Sequence, residues 1–263
     1  GVNQTYDLPF NFPCFTTHPL SPTTTFGSLN ENERHAMIQT MRTKIKAELA
    51  SAQPDLVHVH HGWIMGAMVA ETRVPYVVSL HGTEHHGYSQ YPAYRTLALA
   101  AIQNARAIMA LTEKEKANAV ETYKIPEKRV TVIPNGIDTR VFQPLAVDKR
   151  AVLDNYRIPR ADHDQPIVFF ASKLAPHKGV DILLRAARIY SELAEKPITL
   201  IAGDGEVRGA MELMARAMNL ERVYFIGNQN QTEMVALYNL AEVCVLPSTF
   251  DYFPLAPLEA LAC

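Results

Sequence analysis

Apolar and polar residues along the chain follow two alternating periods. Compact runs rich in Val, Ile, Leu and Phe at 56–60, 75–80, 107–111 and 129–133, and again at 167–171, 198–202, 223–226 and 243–246, predict buried strands. Between them, segments with apolar residues three and four apart predict helices at about 62–71, 91–104, 112–123, 179–194, 206–218 and 231–240. Ahead of the first strand, Asn30 and Glu33 stand at capping-box spacing. They open a helix to about Ala52 with Met37, Met41, Ile45 and Leu49 on one face. Thr112 and Glu115 repeat the box. Residues 1–29 show no sustained period and read as irregular or extended, and the Gly- and His-rich stretch after Leu80 reads as a loop.

Strand and helix in regular alternation call for parallel sheets covered by helices, an α/β architecture. Pro134-Asn135-Gly136-Ile137-Asp138 carries turn chemistry, and a connector follows at about 145–160. The expectation is two Rossmann-like, doubly wound domains, 1–145 and 146–263, facing a cleft where a small molecule binds.

Composition narrows the class. Of 263 residues, 48% are hydrophobic and 20% charged, which excludes a disordered chain. A net charge of −2 gives no overall basic footprint for nucleic acid, and apolar runs such as 97–102 are too short to span a bilayer. The three cysteines, Cys14, Cys244 and Cys263, are widely spaced, which fits a reducing compartment rather than a disulfide scaffold or a cysteine zinc site. A cytoplasmic protein is expected. Gly1 in place of an initiator Met, and an apolar helical run reaching Cys263, lead us to expect a piece of a longer chain.

Candidate chemistry gathers at the predicted strand ends. After the last strand, Asp251 lies in a loop and Glu259 falls in the first turn of a helix opened by Pro257. Carboxylates repel phosphate but accept hydrogen bonds from sugar and ribose hydroxyls, whereas a helix N-terminus suits phosphate. A nucleotide sugar satisfies both. The plainer reading is dipole-favoured acid and turn chemistry. Lys173 and Lys178 flank another loop before a helix, where a diphosphate would reconcile two ammonium groups; solvated loop lysines are the alternative. Gly203-Asp204-Gly205-Glu206 permits positive φ and close backbone approach to a ligand, and is equally an ordinary strand-to-helix turn. In the first half, His58, His60 and His61 precede His81-Gly82-Thr83-Glu84-His85-His86. These could build a catalytic metal site, making a metal-dependent hydrolase the rival function, although no H-E-x-x-H helix is present. His81 alone can serve a sugar hydroxyl or a developing negative charge.

Read together, these stretches resemble a retaining glycosyltransferase of the GT-B fold, within glycosyltransferase family 4. The resemblance rests on Pro54-Asp55-Leu56-Val57-His58-Val59-His60, Val77-Val78-Ser79-Leu80-His81-Gly82-Thr83 and Val132-Ile133-Pro134-Asn135-Gly136-Ile137-Asp138. It continues through Lys173, Lys178-Gly179, Gly203-Asp204-Gly205-Glu206, and Leu246-Pro247-Ser248 with Asp251 and Glu259-Ala260-Leu261-Ala262-Cys263. It implies transfer of a hexose from a nucleoside-diphosphate sugar, such as a UDP- or GDP-sugar, with retention at the anomeric carbon. No cofactor or essential metal is implied. The acceptor is left open: a saccharide, a lipid-linked molecule or a small molecule.

The implied roles follow residue by residue. Lys173 and Lys178 neutralise the diphosphate, Glu259 holds the ribose, and His81 lies near the reacting sugar. Asp251 and the backbone after it, through Phe253 and Leu255, hold the donor sugar, while Gly203 and Gly205 line the donor site. The N-terminal domain is then the acceptor side and the C-terminal domain the donor side, both expected to be partial. Three positions depart from the family pattern: Lys173 stands where Arg is usual, Asp251 where the first of two Glu is usual, and Pro254 where Gly is frequent. A non-catalytic fragment that binds a partner through open sheet edges is a further alternative.

Overall fold

The computed structural model describes residues 8–15 and 24–263. Part of the stretch expected to be irregular, residues 1–7 and 16–23, lies outside the described residues. The chain divides into two compact units, residues 1–135 and 136–263.

The first unit opens with a two-residue parallel pair, β1 (Pro13–Cys14) and β2 (Thr24–Thr25). Helix α1 (Glu31–Ala52) follows with both capping-box bonds made: Glu33 N–H donates to the Asn30 side chain, and Asn30 N–H donates to Glu33. Then come β3 (Val57–His60), α2 (Ile64–Ala70), β4 (Tyr76–Ser79), α3 (Thr83–Gln90), α4 (Arg95–Gln103), β5 (Ala107–Ala110), α5 (Glu113–Tyr123) and β6 (Val130–Val132). The strands pair in parallel in chain order, β3-β4-β5-β6. Burial alternates along them. Val59, Tyr76, Val78, Ile108, Ala110 and Val130 pack with Ile102, Ala119 and Tyr123 on one face, whereas His58, His60 and Thr131 on the other are exposed.

Helix α3 corrects the loop expected after Leu80. The turn into it is made by Gly82 at φ 90°, a conformation glycine adopts without steric cost. Glu84 in its first turn accepts the His81 N–H at 2.7 Å and ties the preceding backbone to the helix start, so a stretch that looks like punctuation becomes a helix. The Thr112–Glu115 box, unlike the first, is only half made. Thr112 accepts from Glu115 N–H, while the Glu115 carboxylate takes Leu111 N–H.

The second unit begins with α6 (Lys149–Asn155), inside the stretch read as a connector, and Asp148 caps it by accepting from Arg150 and Ala151 N–H. After it run β7 (Ile167–Ala171), α7 (Val180–Tyr190), β8 (Ile198–Ala202), α8 (Arg208–Ala217), β9 (Val223–Gly227), α9 (Gln231–Leu240), β10 (Val243–Cys244) and α10 (Leu255–Ala262). All pairings are parallel and the order is β10-β7-β8-β9. Successive side chains of β7 serve opposite layers. Phe169 packs with Leu153, Leu237 and Tyr238, and Phe170 with Leu183, Leu184 and Ala215. Burying each ring is worth about 2–3 kcal/mol. Central strand β8 is buried at every position, as a sheet covered on both faces requires.

Candidate functional site

Strand order in the second unit decides where its loops meet. The chain lays down β7, β8 and β9 in one direction, then returns through α9 to place β10 on the other side of β7. Loops leaving the carboxyl ends of the two strands at such a reversal diverge, and the crevice between them is where open parallel sheets take ligands. Here that pair is β7 and β10, with Val243 opposite Val168 and Cys244 opposite Phe169.

The β7–α7 loop carries Lys173 and Lys178, and the β10–α10 loop carries Asp251. They are tied together. Thr249 N–H donates to the His177 carbonyl at 2.9 Å, and Lys178 Nζ donates to both Asp251 carboxylate oxygens at 2.7 and 2.8 Å. This ion pair is half-buried. Two of the three ammonium donors are spent on Asp251. Burial, then the neighbouring Lys178 charge, push the His177 imidazole below its usual value, so His177 adds no third positive charge at neutral pH.

Glycines set how closely these loops approach. A Cβ on Gly179 (φ 73°) would stand 2.1 Å from the Pro247 carbonyl oxygen, and one on Gly203 (φ 121°) 2.0 Å from that of Ser172. A Cβ on Gly205 would meet the Leu174 carbonyl oxygen at 2.2 Å. The close approach at Gly203 and Gly205, expected to serve a ligand, is made in this structure by protein backbone. Leu174 N–H donates to the Asp204 carbonyl at 2.9 Å and completes the contact.

Helix α10 starts at Leu255 rather than at Pro257, which corrects the placement of Glu259. It stands in the second turn, and the first turn holds no acid. Tyr238 on α9 donates its hydroxyl to Glu259 at 2.9 Å; burial and then this carboxylate drive the Tyr238 pKa far upward, so the phenol stays a donor. Sequence reasoning missed Tyr238, because α9 and α10 meet only in the fold. Phe253 is half-buried in the loop, and Leu255, the first residue of α10, is exposed. Pro254 caps that helix end without a side-chain bond and Pro257 has no N–H, so Leu255 and Ala256 supply the first N–H groups there. In the same loop the Ser248 hydroxyl is buried with no hydrogen-bond partner among the described residues.

The first unit holds a different cluster at the ends of β3 and β4. His58 Nε2 lies 2.8 Å from Ser79 Oγ, His60 Nδ1 lies 2.9 Å from His81 Nε2, and His61 Nδ1 lies 3.2 Å from Glu84 Oε2. Glu84 is fully buried. Burial works to raise its pKa, but hydrogen bonds from His61 and from the Glu84 and His81 backbone N–H groups outweigh it, and the carboxylate is held below its usual value. Burial lowers the His81 pKa, helped by His61 and opposed by Glu84, so His81 is neutral near pH 7. Glu115, also buried, goes the other way: burial pushes it up to about 7. Sequence reasoning gave His81 a role of its own and offered the other histidines with Glu84 only as a possible metal cluster. The signal for Glu84 was its place directly after Gly82-Thr83, a helix-start pattern.

Among the described residues no three His, Cys, Asp or Glu side chains group so as to hold a metal ion.

Comparison with known proteins bears on both units. The family description Glycosyltransferase Family 4 matches residues 15–141, and Glycosyl transferases group 1 matches residues 154–263. The chain is glycosyltransferase-family-4-like. Among its relatives, a D-inositol 3-phosphate glycosyltransferase of Mycolicibacterium paratuberculosis is 30% identical over 240 residues, covering 83% of the chain and 52% of the relative. An uncharacterized glycosyltransferase of Methanocaldococcus jannaschii is 27% identical over 218 residues, covering 79% and 55%. The chain thus spans about half the length of these curated relatives. Among solved structures, sucrose-phosphate synthase from Thermosynechococcus elongatus superposes with TM-score 0.70 at 20% identity, over 98% of this chain and 67% of that one. Anabaena HepE in complex with UDP and glucose gives TM-score 0.66 at 17% identity, over 86% and 60%. The fold is GT-B, built of two Rossmann-like α/β units. Among the described residues, no helix is long and apolar enough to cross a membrane.

Proposed function

We propose that the second unit binds a nucleoside-diphosphate sugar and that the chain serves transfer of its hexose to an acceptor with retention of anomeric configuration. The observation that carries this reading is the reversal between β7 and β10, which brings Lys178, Asp251 and the start of α10 to one crevice. Lys173 and Lys178 would face the diphosphate, Glu259 the ribose, and Asp251 with the backbone from Phe253 to Leu255 the sugar. Gly203 and Gly205 shape the adjoining wall. HepE, a structural neighbour, is described in complex with UDP and glucose, which agrees with a donor of this class.

In the reaction the bond from the anomeric carbon to the diphosphate oxygen breaks, and its electron pair leaves with the nucleoside diphosphate. The acceptor oxygen bonds to the anomeric carbon on the same face. Its proton passes to the departing phosphate or to solvent. Neutral His81 in the first unit would hydrogen-bond the sugar or acceptor. An incoming diphosphate competes with Asp251 for Lys178, so donor binding frees the Asp251 carboxylate to accept a sugar hydroxyl.

Calorimetric titration with UDP and with GDP tests the donor site. Binding by the native chain and at least about tenfold weaker binding by the Lys178→Ala, Glu259→Ala double variant are expected. Equal binding by both would sink the assignment.

A further inference from the structure

The first unit contains a cavity of about 200 Å³ beside the histidine cluster, with His60 and His61 in its wall. The rest of its lining is apolar and largely aromatic, including Phe12, Phe15, Phe26, Met41, Trp63 and Ile64. The rings brace one another: Phe15 lies 5.3 Å from Trp63 between centroids, and Phe26 lies 5.7 Å from Trp63. Met65 and Phe12, exposed at 52% and 47%, leave the mouth open to solvent. An apolar cavity of this size holds water poorly and accepts a single six-membered ring; about 150 Å³ suffices for benzene.

Trp63, in the wall, is 4% exposed and its indole nitrogen is closed off, so the ring offers the occupant carbon rather than a donor. His60, in the wall, is hydrogen-bonded to His81, so a molecule seated here lies one imidazole away from the residue assigned to the reacting sugar.

We propose that this cavity is the acceptor subsite, and that the acceptor is an alcohol borne on a ring-sized apolar body, aryl or cycloalkyl, rather than a fully hydroxylated sugar or polyol. The assignment of an acceptor rests on the glycosyltransferase reading; the preference for an apolar ring rests on the cavity alone. A polyol placed here would lose the hydration of hydroxyls that meet only carbon.

Trp63 is the single tryptophan of the chain, so its emission reports on the cavity directly. The full chain is titrated with cyclohexanol and with myo-inositol, a ring of the same size with a hydroxyl on every carbon. Cyclohexanol should shift Trp63 emission saturably, with half-saturation in the millimolar range expected for so small a ligand, on the order of 1–10 mM. Myo-inositol should give no saturable change at about tenfold higher concentration. Cys14 also lines the cavity. Cys14→Phe, which fills it, should weaken cyclohexanol at least about tenfold with the circular-dichroism melt unchanged. Met41→Phe fills it from α1 and replaces that variant if Cys14→Phe fails to fold.

A linear response to cyclohexanol, equal responses to both rings, or undiminished binding by a folded filled variant overturns the subsite. UDP and GDP binding, measured on the same preparation, separates the two readings. Nucleotide binding without a cyclohexanol response rejects the cavity and leaves the donor site standing. A cyclohexanol response without nucleotide binding rejects the acceptor role and leaves a site for apolar alcohols.

Discussion

The two units bring functional side chains together by opposite means. In the first, strands lie side by side in chain order, so nothing in the sheet itself opens a crevice between the described strands. The cluster is instead held by one buried carboxylate, Glu84, which fixes the His81 backbone and the His61 ring. In the second, the strand reversal opens the crevice and backbone does the positioning, with Gly179, Gly203 and Gly205 letting three loops touch main chain to main chain. A site built on side-chain charge should be sensitive to pH and to the charge of one residue. A site built on backbone contact should be sensitive to a single added methyl group.

Gly203→Ala gives the largest effect expected from this contrast. Its φ of 121° disfavours any L side chain, and the added Cβ would lie 2.0 Å from the Ser172 carbonyl oxygen. A loss of about 3 kcal/mol or more is expected in urea unfolding of the second unit. Gly209→Ala is the control, because nothing lies within 4 Å of a Cβ there. If both variants melt alike, backbone contact is not what builds the second site.

Glu84→Ala comes next, at about 2–3 kcal/mol at pH 7, since it strands the His81 N–H and the His61 contact inside the protein. The folded pKa of Glu84 lies below its unfolded value. Its contribution is therefore fully present above about 4.5 and is lost as pH falls through the folded value. The gap between native and variant in urea unfolding should narrow as pH is lowered below about 4.5. A gap that stays constant with pH would show that Glu84 acts by packing and not by charge.

Asp251→Asn is the mildest. Removing the carboxylate that engages Lys178 takes a competitor and a repelling charge from the diphosphate. UDP or GDP affinity should rise about threefold to tenfold, because the pair is half-exposed and screened. On the proposed reading the gain should vanish for the intact nucleotide sugar, because Asp251 would then accept a sugar hydroxyl. Weaker nucleotide binding by Asp251→Asn would mean that Asp251 positions Lys178 for the phosphate instead of withholding it.

Much of the architecture was legible because it is local. The Asn30–Glu33 box opens α1, and the runs 167–171 and 198–202 coincide with β7 and β8, where nearly continuous apolar stretches mark strands of a sheet covered on both faces. Misreadings came where tertiary contact overrode local pattern. Residues 83–90 are rich in Gly, His and Ser, yet they form α3 because Glu84 is buried and bonded. Residues 149–155 look like a linker, yet they form α6 because Leu153 reaches the core. Pro257 resembles a helix opener but sits inside the first turn, where its missing N–H costs nothing, and Glu259 moves a turn inward with it.

For the site, residue types were readable and partnerships were not. Lys178, Asp251, Glu259 and His81 each stand out beside a strand end, because loops at strand ends are written in polar and glycine residues. That Lys178 spends itself on Asp251, 73 residues away, follows only from placing β10 beside β7. Sequence by itself determined the alternation of strand and helix, the parallel sheets and the residues offered at their ends, all of which depend on neighbours within a few positions. Strand order, the half-buried ion pair, the carboxylate beneath the histidines and the aromatic cavity around Trp63 were decided by tertiary structure alone. Each depends on which distant segments exclude water from one another, and no local period encodes that.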